Sequence, residues 1–501
     1  MSARRGRRAA QGIVQPPFRQ VPLRYPPVEV LSADHLEAIH RAALRVLAEV
    51  GLRVLSAEAR GLYAGAGAEV AGDRVRLDPA LAEGLLATIP PRFTLSARNP
   101  ARDLLVGDGH MVFSSVGGPA YVMDNAGRRD GTLAEMRDYL RLVQALNVLH
   151  QEGGGPFEPM DLPAPTRHLD VMRAEAELLD KSWQGPSLGR ARTLDGIAMA
   201  ALALGTTPEG LLGRPTVMGI INTNSPLQLD GPMAEGLIEL ARHGQVAVVT
   251  PFTLAGAMAP LTLAGALAQQ HAEAIAGLAL TQVVRPGVPA MYGGFTSNVD
   301  MRSGSPAFGT PEYAKAAQAS GQLARRLRVP SRSSNVSAAN EVDAQAAWES
   351  LMALWGAVMG GAHLVEHAAG WMHGGLTASF EKLIVDAELL GTVAAYLEPI
   401  AVDEGSLALD AIREVGPGGH FFGAAHTLAR YGTAFHAPLL SSWDSWETWR
   451  AKGSVTARER AHAVWTRLLE DHEDPGIEPA VAEALDAYVA RRKEEGGAPL
   501  N

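Results

Sequence analysis

Hydrophobic positions recur along this chain in short runs, each followed by a helical pattern. The stretch from Val246 to Ala268, VAVVTPFTLAGAMAPLTLAGALA, contains no charged residue. Its length admits a membrane span, since about 20 apolar residues cross a bilayer. Pro251 and Pro260 interrupt it, however, and the β-branched run before Pro251 predicts a buried strand, a turn and a helix through Leu263–Leu280. A strand covered on both faces reads as a continuous apolar run. The same unit returns as Thr216–Asn224 before helix Met233–Arg242, and as Val288–Phe295 before helix Pro311–Leu327. SRSSNV precedes helix Asp343–Met359, and Ala362–Gly370 precedes helix Leu376–Leu397. Leu149–Gly155 and Lys181–Ser187 offer two or three further units.

Upstream, residues 1–28 are rich in proline and arginine and are predicted to be extended. Ser32–Val50 reads as a helix capped by Ser32 or Asp34, and Pro79–Ile89 as a second, shorter one. Arg92–Asp124 alternates strand and turn, and Thr132–Leu146 is helical, with Thr132 and Glu135 at capping-box spacing. Regular β–α repetition predicts a parallel sheet. About eight such units fit a (β/α)8 TIM-type barrel, whose site residues follow the strands. The expected division is an arm (1–28), a helical and β-hairpin extension (29–130), the barrel (131–440) and a C-terminal helical segment (441–501). An open doubly wound sheet is the rival; it would usually carry a Gly-rich phosphate loop, and neither GxGxxG nor GxxxxGK[ST] occurs.

Composition narrows the function classes. With 47% hydrophobic and 20% charged residues the chain can bury a large core. A net charge of −10 argues against a nucleic-acid partner. MSARRGRRAA at the start is basic but lacks the apolar centre of a signal peptide, so it reads as an arm, with organelle targeting the alternative. The absence of cysteine removes disulfides, thiolate nucleophiles and Cys-ligated metals, and suits a cytoplasmic setting.

The predicted strand ends bring together Gln151, Glu152, Lys181, Gln184, Asn222, Asn224, Thr250, Phe252, Tyr292, Phe295, Ser334, Asn335, Glu366 and His367, with Trp371 just beyond. Singly, each is more often a packing or turn residue; as a set they form a candidate pocket of amides, hydroxyls and aromatic rings. His363-Leu-Val-Glu366-His367 matches the H-x-x-E-H zinc pattern. That chemistry needs a helix, whereas the flanking glycines and apolar centre predict a strand. His373 could complete a different ligand set, which keeps a barrel hydrolase on His363, His367 and His373 as an alternative. Trp443, Trp446 and Trp449 form a stripe expected in a core or a subunit interface.

Several segments, in order and spacing, point to a known family: GRRDGTLAEMRDYLRLVQAL, INTNSPLQLD, TPFTLAGAMAPLTLAG, MYGGFTSNVDMRSGSPAFGTPE, SNVSAANEVDAQAAWES, LVEHAAGWMHGGLTASFEKLIVDAELL and GAAHTLARYGTAF. From about Leu31 onward the chain resembles the trimethylamine/glycine betaine corrinoid methyltransferases. The resemblance implies a (β/α)8 barrel that passes a methyl group from an amine to the cobalt of a separate corrinoid protein. The corrinoid would belong to that partner, with no cofactor or metal held tightly here. Trimethylamine-specific members carry pyrrolysine near the segment corresponding to Ser337–Asn340, which here reads Ser-Ala-Ala-Asn. A quaternary ammonium leaves as a neutral tertiary amine, so a non-pyrrolysine member needs no general acid, and no catalytic residue is assigned.

A quaternary ammonium is held by aromatic faces and nearby negative charge. Phe252, Tyr292, Phe295 and Trp371 are the candidate faces, and Glu366 the negative group. If the substrate is glycine betaine or a related betaine, Asn222, Asn224, Asn335, His367 and Lys181 are the candidate donors to its carboxylate. A homo-oligomer without membrane contact is expected. A non-catalytic betaine-binding barrel is the second alternative.

Overall fold

The computed structural model describes residues 13–499. The basic residues 1–10 lie outside the described residues. The chain is an α/β protein with mixed sheets. Its centre is a set of parallel strands: β1 (His110–Ser115), β2 (Gln151–Glu152), β3 (Ser182–Trp183), β4 (Met218–Thr223), β5 (Val246–Ala255), β6 (Ala290–Gly293), β7 (Ser331–Ser334) and β8 (Leu364–Ala369). Gln151 pairs with Ser114 and Ser182, and Gln184 bridges to Met218. β4 then pairs with β5, β5 with β6, β6 with β7, and β7 with β8. Leu364 of β8 returns to Val112 of β1, so the parallel pairings run in chain order back to their start.

A helix follows each strand. Leu133–Ala145 comes after β1, capped by the Thr132–Glu135 box, and Phe380–Tyr396 comes after β8. Two expectations shift. The first parallel strand is His110–Ser115, inside the stretch expected to be extension. β5 also continues through Pro251 to Ala255, because its far half gains a partner: Phe252–Ala255 pair with Phe295–Asn298.

Period-2 alternation divides the strand residues between two cores. Val112, Met218, Val246, Val248, Met291 and Leu364 share one apolar cluster with Phe93, Leu95, Leu104 and Val106 of an antiparallel hairpin. That cluster lies toward the N-terminal ends of the strands, and Phe18 of the extended N-terminal stretch packs against it. Their neighbours, such as Val249 and Tyr292, belong to the second core with the helices.

After Tyr396 the chain runs through short helices with little burial, then returns as helices Ala457–Glu470 and Pro479–Glu494. Glu381 holds the first through His462 and Trp465, and Asp195 holds the second through Tyr488 and Arg492. Trp446 and Trp449 lie 5.1 Å apart, but Trp443 and Trp446 are exposed, so the tryptophan stripe is not core within this chain. Among the described residues no helix is long and apolar enough to cross a membrane.

Candidate active site

A cavity of about 760 Å³ opens at the C-terminal ends of the parallel strands. Its edge is glycine: Gly117 and Gly118 after β1, Gly153–Gly155 after β2, and Gly374 and Gly375 after β8. Space enforces that choice at Gly117, where a Cβ would stand 1.8 Å from the Gly153 carbonyl oxygen. Helix carboxylates fix the loops above other strands. Glu273 accepts from Thr223 Oγ1, Ser225 Oγ and the Leu227 amide, which orders the INTNSPL segment. Glu349 accepts from Ser337 Oγ and the amides of Ala338 and Ala339, which orders the Ser337–Asn340 segment.

One wall is aromatic. Phe252 and Phe295 are register partners on adjacent strands, with ring centroids 5.2 Å apart. Trp371 lies 6.3 Å from Phe295 and 4.3 Å from the His367 ring. Asn222 and Thr250 also face the cavity. His367 has φ 52°, a left-handed conformation for a non-glycine residue, and it turns the ring toward Trp371. Burial and the nearby Arg332 hold His367 well below the usual imidazole range, so the ring is neutral.

The polar floor is a chain of buried groups. Gln184 donates to Glu366 Oε2, while Glu366 Oε1 has no hydrogen-bond partner among the described residues. Burial raises the Glu366 carboxyl, opposed chiefly by Arg332. Beside β2, Glu152 accepts from the amides of Gly154 and Gly155 and faces Glu175. Burial pushes Glu152 up to about 7 and Glu175 up as well, and the adjacent carboxyl adds to the rise at Glu175. The pair therefore retains a proton at neutral pH.

Of the expected site residues, Phe252, Phe295, Trp371, His367 and Asn222 meet around the cavity, and Glu366 lies beneath it through Gln184. Tyr292 does not reach it. Its neighbours Met291 and Gly293 face inward, so its hydroxyl meets Gln270 and His271 in the helix layer. Asn335 is turned the same way and donates to the Ala368 carbonyl. Asn224 pairs with Asp230 in the loop after β4. Lys181 precedes β3 and lies at the opposite end of the strands, bonded to the carbonyls of Val143 and Leu146.

The zinc alternative fails on the same geometry. His363 precedes β8 and His367 lies within it four residues on, ~13 Å away at ~3.3 Å per residue. His363 Nδ1 accepts from the Ser331 amide, and His373 is bonded to Thr377 and the Asn340 carbonyl. Among the described residues no group of three or more His, Asp or Glu side chains could hold a metal. Strand-end reasoning missed several cavity residues, among them Arg167, His168 and Arg192 on the helices and, on β7, Arg332. For Arg332 the signal was an arginine inside the otherwise small and uncharged SRSSNV.

The architecture is that of known amine methyltransferases. A hydroxylamine complex of MtmB superposes with a TM-score of 0.52 at 13% identity, covering 88% of this chain and 88% of that one. The monomethylamine methyltransferase MtmB of Methanosarcina barkeri gives 0.51 at 12% identity, covering 94% and 88%. Sequence carries the assignment further: residues 1–497 match the trimethylamine methyltransferase (MTTB) family, and the chain belongs to it. It is 35% identical to the glycine betaine methyltransferase of Desulfitobacterium hafniense (strain Y51), over 94% of this chain and 98% of that protein. To the trimethylamine methyltransferase MttB of Methanosarcina barkeri it is 26% identical, over 92% and 94% respectively.

Proposed function

We propose that this chain moves a methyl group from a quaternary amine, glycine betaine or a related betaine, to the cobalt(I) of a corrinoid carried by a separate protein. The observation that carries the reading is the aromatic wall of Phe252, Phe295 and Trp371, standing in a strand-end cavity of a chain that belongs to this family. The 35% identity to a glycine betaine methyltransferase supports the substrate. We read the parallel circuit from β1 to β8, each strand followed by a helix, as a (β/α)8 barrel, and the cavity as its mouth.

The corrinoid supplies the nucleophile when its protein docks. The glycine edge at Gly117, Gly118, Gly374 and Gly375 fits that role, because a flat macrocycle can approach where no side chains project. The chain's own residues then position the substrate and exclude water. The aromatic faces hold the cation without needing an N–H to bond. As the C–N bond breaks, its electron pair stays on nitrogen and the amine leaves neutral, so no proton need be delivered. A cytoplasmic setting and self-association are part of the reading. The second is supported by the apolar side chains of Phe422, Tyr431, Phe435 and Trp443 exposed between the parallel core and the C-terminal helices.

The test is single-turnover demethylation with cob(I)alamin and a panel of quaternary amines, followed by cobalt absorbance. Protein-dependent loss of the cobalt(I) signal with a betaine is expected. No transfer from any quaternary amine, with free cobalamin or a corrinoid protein, overturns the reading and leaves binding without turnover.

A further inference from the structure

The cavity wall contains a buried cation with hydrogen-bond donors left unused. Arg332 is 3% exposed, yet it lines the cavity, and neither Nε nor Nη1 has an acceptor among the described residues. A buried guanidinium is ordinarily paired, since desolvated donors left dry cost several kcal/mol. Glu366 is the nearby carboxylate, but its Oε2 is taken by Gln184 and it makes no hydrogen bond to Arg332. The guanidinium carbon stands 5.3 Å from the Phe295 ring centroid, and that ring also faces Phe252 and Trp371. A simple quaternary cation seated on these rings would leave the Arg332 donors unsatisfied and meet a like charge. A ligand carrying both charges satisfies both groups.

Of the donors expected for the anionic end, three are committed elsewhere, Lys181 at the far end of the strands, Asn224 to Asp230 and Asn335 to a backbone carbonyl, while Asn222 and the neutral His367 stay at the cavity but bring no positive charge. Arg167 and Arg192 also line the cavity, the former paired with Glu158; of these three arginines it is Arg332 that stands over the aromatic wall, at Phe295. Its planar fork matches a carboxylate in two parallel hydrogen bonds. Its Cα lies level with Leu364, at the top of the apolar interior, while the glycine edge lies beyond the strand ends.

We propose that Arg332 binds the carboxylate of a zwitterionic quaternary amine and makes the site selective for N-methylated amino acids over quaternary amines that lack an acid group. The carboxylate points inward and the N-methyl groups face the open edge where a corrinoid would approach. This inference rests on the quaternary-amine reading above, and its test separates the two.

Calorimetry with glycine betaine and with choline, on the wild-type chain, Arg332→Gln and Arg332→Lys, reads binding without turnover. Glycine betaine should bind the wild type, weaken about 100-fold or more in Arg332→Gln, and recover in part in Arg332→Lys. Choline should bind more weakly than glycine betaine to the wild type and lose nothing in Arg332→Gln. Equal binding of the two ligands by the wild type overturns the proposal, a result that needs no variant to fold. Undiminished glycine betaine binding by folded Arg332→Gln, or no binding by the wild type, also overturns it. Arg332-dependent binding without methyl transfer to cob(I)alamin or a corrinoid protein keeps the carboxylate site and removes the methyltransferase reading. Methyl transfer from glycine betaine at unchanged KM in Arg332→Gln does the reverse.

Discussion

The two ends of the same parallel strands bury polar groups to opposite purposes. At the N-terminal end, Lys181 is fully buried and donates to the carbonyls of Val143 and Leu146 at 2.7 and 2.9 Å. His150 accepts from the Phe113 amide and donates to the Arg19 carbonyl. Phe18 and the hairpin of Phe93–Leu95 and Leu104–Val106 close that end with apolar surface. At the C-terminal end, Arg332 Nε and Nη1, Glu366 Oε1, Gln151 Nε2, Ser334 Oγ and Trp371 Nε1 are buried with no partner among the described residues. Burial alone does not separate structural from functional polar residues; partners separate Lys181 and His150 from Arg332 and Glu366, although Arg102 Nη1 and His110 Nδ1 near the closed end also lack one among the described residues.

The contrast is broken most severely at Lys181. Lys181→Met leaves two buried carbonyls without their donor and should cost about 3 kcal/mol of stability. Substrate KM should stay within twofold, and a denaturant melt beside steady-state kinetics checks both. A large rise in KM would place Lys181 in the functional end after all. Trp371→Leu is the mirror experiment. It keeps apolar volume and removes one aromatic face, worth about 2 kcal/mol to a desolvated cation. KM should rise about 30-fold, on the scale of about 1.4 kcal/mol per tenfold, while the melting temperature moves little. An unchanged KM would remove Trp371 from the cation site.

Tyr292 sharpens what the sequence can and cannot say. The strands themselves were legible, because parallel strands covered on both faces leave continuous apolar runs such as VAVVT. Which side a residue faces was not, because such a run has no polar alternation to mark parity. Tyr292 and Asn335 sit at strand ends but on the helix-facing side, and Lys181 sits at the wrong end of its strand. Arg332 was overlooked because the strand end was taken at Ser334 and Asn335, whereas Arg332 lies two residues earlier and reaches the cavity from within the strand. The H-x-x-E-H match failed because a spacing that gathers ligands on a helix separates them on a strand. Tyr292→Phe should therefore cost about 1 kcal/mol by stranding Gln270 and His271, with kinetics unchanged. A KM effect would return Tyr292 to the cavity wall.

The smallest expected effect is electrostatic, and the two ends should titrate in opposite senses. Burial lifts Glu152 from its ordinary 4.5 up to about 7, so between those values the folded chain keeps a proton that the unfolded chain releases. Its contribution to stability is present at low pH, falls as pH rises through that window, and is level above it. At the closed end, burial lowers His150 from 6.5 to about 4, so here the unfolded chain takes up the proton first. That contribution is present above 6.5 and is lost as pH falls toward 4. Glu152→Gln should flatten the fall in melting temperature as pH rises from 4.5 to about 7, and His150→Gln the fall as pH drops from 6.5 to about 4, each by a few degrees when compared with the wild type across the series. Parallel curves for the wild type and Glu152→Gln would mean that the carboxyl pair beside the cavity shares no proton, and the opposition between the two ends would then rest on hydrogen bonding alone.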